Sequence, residues 1–160
     1  TQSGFSMIEM MVSLLILAIG LLGQMTLQMT SISSNRSSYY RSQASIIAND
    51  FVDRMRFNEA SINDGSINDY ENITVDANST NTAPGCMATG CGASDLAKLD
   101  IYELQEVLST SIPSGTATIV RDAAITIQPV YKITISWQTE DRDGLTNGAA
   151  INKFEMSFGI

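Results

Sequence analysis

The stretch GFSMIEMMVSLLILAIGLLGQM, residues 4–25, is apolar almost throughout but carries one carboxylate, Glu9. No charged residue occurs from Met10 to Asn35. An apolar helix of about 20 to 25 residues spans the core of a bilayer, so the pattern predicts a membrane-spanning helix over residues 5–29. A carboxylate inside such a helix is costly, which makes Glu9 a candidate functional residue. The alternative is that Glu9, near the start of the helix, reaches the headgroup region.

The helical pattern continues beyond the apolar run. One apolar stripe with spacing i, i+4, i+7, i+11 and i+15 is formed by Tyr40, Ala44, Ile47, Phe51 and Met55. Asp50 and Arg54 form an acid-before-base pair at i, i+4 on another side of the helix. No proline interrupts the chain up to Glu59. The sequence therefore predicts one helix of roughly fifty residues, whose amphipathic half must pack against a globular domain.

The composition limits the chemistry available to that domain. The chain has 17 acidic and nine basic residues, a net charge of −8, and no histidine. An acidic chain repels phosphate backbones, so nucleic-acid binding is not expected. Without histidine, the common catalytic triads and the usual zinc sites are excluded, and no other catalytic set stands out. We therefore expect no enzyme activity, no cofactor, no metal and no small-molecule substrate.

The segment after the long helix, residues 60–92, is rich in Asn, Ser, Thr and Gly, which predicts a long loop. Within it, only Tyr70, Ile73 and Val75 indicate a short strand. Cys86 and Cys91 lie in this loop as a C-x4-C pair. A zinc site needs more ligands than are present, and the usual redox motif is C-x-x-C. The spacing favours a structural disulfide over both alternatives.

A second helix is predicted in ASDLAKLDIYELQEVLSTSIPSG, residues 93–115. Ser94 is a good N-cap, and Asp95 complements the positive end of the helix. Pro113 and Gly115 end the pattern. The core-facing stripe consists of Ala97, Ile101, Leu104 and Leu108.

Alternating patterns then predict strands at residues 116–121, 124–128, 131–138 and 152–160. The simplest assembly is a three-stranded antiparallel sheet with one face packed on the long helix, an α+β fold.

The loop at 139–150 contains three hard oxygen ligands, Asp141, Asp143 and Asn147, as in the start of a calcium loop. It lacks the closing bidentate glutamate, and an acidic turn is the favoured interpretation.

The N-terminal residues Gly4, Phe5 and Glu9, followed at once by an apolar helix, make the chain similar to the type IV pilin-like family. The resemblance implies that a prepilin peptidase cleaves after Gly4 and that the new N-terminal Phe5 is methylated. Residues 1–4 would then be the residual leader, residues 5–29 the membrane or filament-core helix, and residues 30–160 the periplasmic pilin domain. It also implies that Glu9, the fifth mature residue, pairs with the α-amino group of a neighbouring subunit.

A narrower resemblance is to minor pilins of the PilV type. It rests on AIGLLG at 18–23, RSQASIIANDFVDRMRFN at 41–58, the cysteine pair, DLAKLDIYELQEVL at 95–108 and ITISW at 133–137. This resemblance implies a subunit of the pilus, or fimbrium, that helps to initiate assembly in a tip complex and supports adhesion and twitching motility. Implied partners are other minor pilins, the major pilin, prepilin peptidase and the inner-membrane assembly platform. The protein would lie in the inner membrane before assembly and at the cell surface afterwards.

Two other classes of protein stay open at this point. A type II secretion pseudopilin shares the N-terminal signature and the long helix. A single-span membrane enzyme or sensor is a third interpretation, against which the absence of a catalytic group set weighs.

Overall fold

The computed structural model describes residues 4, 6–59, 69–122, 129–139 and 150–160. The elements in chain order are α1 (Met7–Phe57), β1 (Ile73–Asp76), a 3-10 helix (Gly85–Ala88), α2 (Ala93–Ser111), β2 (Thr116–Arg121), β3 (Val130–Thr139) and β4 (Ala150–Gly159). The architecture is α+β, as predicted. The chain divides into two units, Thr1–Tyr39 and Tyr40–Ile160, each of which is described by itself below.

The first unit contains the apolar part of α1. From Met7 to Ile32 its large apolar side chains are between 51% and 82% exposed, so they have no core of their own to fill. Of the described residues, α1 is the one helix long and apolar enough to cross a membrane. The single helix of 51 residues confirms the prediction of about fifty.

Hydroxyl groups within this apolar part bond to the helix that carries them. Ser13 Oγ donates to the Glu9 carbonyl at 2.7 Å, and Thr30 Oγ1 donates to the Thr26 carbonyl at 2.9 Å. Thr26 Oγ1 in turn donates to the Leu22 carbonyl at 3.2 Å. A hydroxyl that bonds the carbonyl four residues back costs less in an apolar environment than a free one.

The second unit begins with the amphipathic part of α1. Its buried side chains are Ala44, Ile47, Ala48, Phe51, Val52 and Met55. These include every residue of the predicted stripe except Tyr40, which is half-buried. The ring of Phe51 meets Tyr70 edge to face, with centroids 6.0 Å apart. The amphipathic half of the helix thus packs as its spacing predicts.

Helix α2 packs through Ala97, Leu104 and Leu108, which are buried, and through Ile101, which is half-buried. The prediction that Ser94 is the N-cap is wrong. Gly92 occupies that position, because its carbonyl already accepts the Leu96 N–H at 2.8 Å, and no side chain caps the helix. The helix ends at Ser111, just before the predicted stop at Pro113.

The sheet has four antiparallel strands in the order β1-β2-β3-β4 rather than the three predicted. The additional strand is β1, which pairs Ile73 with Ile119 and Val75 with Ala117. Its four residues are too few for alternation to identify it firmly in a polar loop. The strands predicted at 116–121, 131–138 and 152–160 are confirmed as β2, β3 and β4. The strand predicted at 124–128 lies outside the described residues.

The core face of the sheet follows from the register. Ile133 lies opposite Met156 and Ile135 opposite Phe154. Tyr131 stacks on Phe158 with centroids 5.9 Å apart. Together with α1 and α2, the inward rows of the four strands form the core, including Val75, Ala117, Ile119, Tyr131, Ile133, Ile135, Trp137 and Phe158. The globular unit is therefore a pair of helices and one sheet around a single cluster.

Candidate functional site

The first candidate is the N-terminal segment. Gly4 is exposed, and a Cβ on it would meet no atom within 4 Å, so no contact within the described chain requires a glycine there. Phe5, the predicted methylation site, lies outside the described residues.

Glu9 lies in the first turn of α1 and is exposed. Its backbone N–H donates to the Ser6 carbonyl at 3.0 Å, which fixes the start of the helix. A carboxylate in the first turn also complements the positive end of the helix. Across the described part of the chain, the carboxylate itself makes no hydrogen bond or ion pair. It is therefore available to a cation from another molecule.

The cysteine pair forms the second candidate. Cys86 and Cys91 are joined in a disulfide, with their Cα atoms 4.9 Å apart, which confirms the prediction. The ring between them includes most of the 3-10 helix, and the N–H groups of Thr89 and Gly90, which follow that helix, both donate to the Cys86 carbonyl. None of the residues of this 3-10 helix is buried. The ring thus lies at the surface of the globular unit.

A buried polar network, missed in the sequence, lies between α1 and α2. The Tyr70 hydroxyl donates to Asp100 Oδ2 at 2.6 Å, and Asn58 Nδ2 donates to Tyr70 Oη at 3.0 Å. Asn58 Nδ2 also donates to the Ala93 carbonyl at 2.8 Å. Asn58, Tyr70 and Asp100 are each at most 5% exposed. The network joins the end of α1, the segment before β1, and the start of α2.

A half-buried cation borders this network. Arg54 pairs with Glu103, with Asp50 at 2.9 Å and, more distantly, with Asp100 at 3.7 Å. Burial raises the pKa of the Asp100 carboxyl above its usual value, although the Tyr70 hydrogen bond and Arg54 act in the opposite direction. Burial and the hydrogen bond to Asp100 raise the pKa of Tyr70 well above its ordinary value, so its hydroxyl stays protonated and donates.

One signal of this network was present in the sequence. Asp100 lies three residues after Ala97 and four before Leu104, on the apolar face of α2. A carboxylate at such a position needs buried donors. Tyr70 and Asn58, by contrast, are brought to it only by tertiary structure.

The predicted calcium ligands Asp141, Asp143 and Asn147 lie outside the described residues. In the ranges that are described, no group of three or more acidic or cysteine side chains is placed to hold a metal ion.

Comparison with protein families gives two matches. Residues 26–102 match the family model described as Type IV pilin Tt1218, and residues 1–23 match the prokaryotic N-terminal methylation motif. A search of curated proteins and a search of solved structures each returned no significant match.

The two matches do not overlap, and only residues 24 and 25 lie between them. The methylation motif includes Gly4 and Glu9, and the pilin model includes the amphipathic part of α1, the disulfide and the buried network. The exposed apolar helix and this motif fit an inner-membrane anchor before assembly and recognition by prepilin peptidase. Together with the α+β fold, the two matches support a type IV pilin, and proteins of that family are structural subunits.

Proposed function

We propose that this pilin is a minor pilin of the PilV type, which helps to initiate pilus assembly within a tip or priming complex. Through the pilus it would support adhesion and twitching motility. The observation that carries the pilin part of the proposal is the methylation motif at residues 1–23, which includes the start of an exposed apolar helix. The narrower sequence resemblance at residues 41–58 and 95–108 supports the minor-pilin assignment.

Processing is the first step of the proposed function. Prepilin peptidase cleaves after Gly4, and the α-amino group of Phe5 is then methylated. Residues 5–29 hold the subunit in the inner membrane, with residues 30–160 in the periplasm. Exposure of Gly4 supports this step, since a peptidase needs an accessible peptide bond.

Assembly follows from the chemistry of Glu9. Cleavage creates an α-ammonium group that the precursor lacks, and in a filament this group of one subunit pairs with the Glu9 carboxylate of a neighbour. In an apolar environment two unpaired charges each carry a desolvation cost, which a close pair offsets. The unpaired state of the carboxylate across the described residues supports this assignment. Such a pair fixes the axial register between subunits.

The partners of this function are other pilins. The apolar part of α1 packs among the helices of the major pilin and other minor pilins, and the inner-membrane assembly platform moves the subunit from lipid into the filament. An apolar surface exposed over its whole circumference suits both environments, because lipid tails and apolar helices offer similar contacts.

Mass spectrometry of the mature N-terminus tests the proposal. In purified pili we expect a chain that begins at methylated Phe5. A matched sample from cells without prepilin peptidase should retain the residues before Phe5 and remain in the inner membrane. Recovery of the uncleaved chain in assembled pili would contradict the proposal.

A type II secretion pseudopilin is the second candidate, because it would have the same N-terminal motif and long helix. Deletion of the gene separates the two functions. Loss of surface pili with normal protein secretion is expected for the minor pilin, whereas normal piliation with a secretion defect would identify the pseudopilin.

A further inference from the structure

The start of α2 lacks the usual means of holding a helix terminus. Gly92, the N-cap, has no side chain to accept the free N–H groups of the first turn. Asp95, the acidic residue of that turn, pairs instead with Lys98 at 2.9 Å. Helix ends without a side-chain cap fray more readily than capped ones. Two other contacts are placed to hold this end of α2.

The first contact is covalent. Cys91 immediately precedes Gly92, and its disulfide to Cys86 closes a six-residue ring directly before the helix. The ring contributes no buried residue to the core, and Met87 within it is 60% exposed. Its position therefore suits it to restrict the backbone that leads into α2, rather than to fill space in the core.

The second contact is the amide of Asn58. One of its N–H groups donates to the carbonyl of Ala93, the first residue of α2, and the other donates to Tyr70 Oη. Asn58 is 4% exposed, so an N–H that lost the Ala93 carbonyl would have little access to water. The Ala93 carbonyl is thus the partner at one end of a chain of bonds that runs from Asn58 through Tyr70 to Asp100.

From these contacts we infer that the Cys86–Cys91 disulfide is a redox-sensitive latch for the buried network of Asn58, Tyr70 and Asp100. With the disulfide closed, the first turn of α2 is held and the Ala93 carbonyl stays within reach of Asn58. A dithiol reductant opens the latch: it gives two electrons and two protons to the S–S bond, which becomes two thiols, and is itself oxidised to a disulfide. The first turn of α2 then frays and the network loosens.

Because of this latch, the order of the buried network depends on whether the compartment around the globular unit is oxidising or reducing. Disulfides persist where the environment is oxidising, and they are reduced in the cytosol. The junction between the end of α1 and the start of α2 is therefore completed only in an oxidising compartment. This inference stands on the geometry of the described residues and does not depend on the minor-pilin assignment.

Hydrogen exchange of the full-length chain in detergent micelles, followed by mass spectrometry, tests the latch. We expect dithiothreitol to speed exchange at least tenfold in peptides covering residues 96–100. Peptides covering residues 104–111, in the same helix but away from its start, and peptides of β3 serve as internal controls and should change less than twofold. The double variant Cys86→Ser, Cys91→Ser should give the same pattern without reductant.

A third variant connects the disulfide to the network. In Asn58→Ala, exchange at residues 96–100 should already be fast in the oxidised protein, and reduction should add less than a twofold change. Unchanged exchange on reduction would overturn the inference. It would also be overturned if reduction accelerated exchange in Asn58→Ala by the same factor as in the wild-type chain. An equal increase at residues 104–111 and in β3 would also overturn it, since the disulfide would then stabilise the domain as a whole. If the double-serine variant fails to fold, reduction of the wild-type chain still decides between these outcomes.

Discussion

The two parts of α1 belong to one helix but differ in what their side chains contact. Before Tyr39 the large apolar residues are exposed, whereas from Tyr40 onward one face of the helix is buried against α2 and the sheet. Backbone hydrogen bonding is the same in both parts, so the difference lies in the side chains. The first part depends on surroundings that the chain does not supply, and the second part carries its own core. Function and stability are therefore expected to respond to mutations in different parts of the same helix.

The largest expected effect concerns function and lies in the first part. For Glu9→Ala we expect normal membrane insertion and cleavage but at least a tenfold loss of incorporation into pili. The reason is that the neighbour's α-ammonium group would lose its partner in an apolar environment. Quantitative immunoblots of sheared pili and of membranes measure the ratio of the subunit in pili to the subunit left in the membrane. Asp53→Ala, which removes an exposed carboxylate from the second part of the helix, is the control and should assemble normally; equal incorporation of both variants would remove the role assigned to Glu9.

A comparison of core and exposed apolar residues tests stability. Phe51→Ala deletes a side chain that is 1% exposed and should lower the free energy of unfolding by about 3–5 kcal/mol. Leu17→Ala, in the first part of the helix, deletes a side chain that is 60% exposed and should change the free energy of unfolding of the globular unit by less than about 0.5 kcal/mol. Urea unfolding in detergent, monitored through Trp137, measures both. Similar losses in the two variants would contradict the division of the helix.

The buried network should give an intermediate effect with a defined pH dependence. Tyr70→Phe removes a donor to buried Asp100 and should cost about 1–3 kcal/mol. In the wild-type chain the pKa of Asp100 is raised by burial, so the folded state binds its proton more tightly than the unfolded state. Relative to Asp100→Asn, the wild-type chain should therefore gain stability as pH falls from neutral through the folded-state pKa towards the unfolded value of about 3.9. Unfolding curves over this pH range measure the difference, and a difference that is constant or reversed in sign would contradict the prediction.

The smallest expected effect belongs to the exposed pair of Asp50 and Arg54. The Asp50 side chain is 60% exposed, and Arg54 keeps Glu103 when Asp50 is removed. Asp50→Ala should therefore cost no more than about 0.5 kcal/mol, as is typical of solvent-exposed pairs. The same unfolding assay in high salt should remove most of that difference. A cost similar to that of Tyr70→Phe would show that the pair belongs energetically to the buried network.

The parts of the fold that sequence could predict were those with a strong local pattern. The long helix, its apolar stripe, α2 and the strands from β2 onward all repeat a period over many residues. The sequence does not predict that β1 belongs to the sheet, because four residues in a polar segment carry too little alternation. The place of β1 in the sheet is fixed by its pairing with β2. The predicted N-cap of α2, Ser94, follows from the general preference for serine at that position. The helix instead begins two residues earlier, with Gly92 as its N-cap, directly after the disulfide ring.

The sites divide in the same way. Gly4, Phe5, Glu9 and the cysteines are close together in sequence within each motif, so their spacing predicts them as sites. The disulfide of Cys86 and Cys91 is confirmed, whereas the roles of Gly4, Phe5 and Glu9 stay predictions. Asn58, Tyr70 and Asp100 are separated by 12 and 30 residues, and the folded chain brings them together. Only the carboxylate on the apolar face of α2 indicated in advance that a buried partner was needed.

The hydroxyl of Ser13 gives the apolar part of α1 one further property. It is the one polar side chain between Glu9 and Gln24, and its donor is committed to the Glu9 carbonyl. Over those fourteen residues the helix offers no free side-chain hydrogen-bond donor to its neighbours. A helix with such a surface can turn about its axis, or exchange lipid for protein and back again, without breaking a hydrogen bond. In a pilus this stretch would pass from the membrane into the filament and back without losing a hydrogen bond, so polar contacts of this part of the helix would have to come from flanking residues such as Glu9 and Gln24.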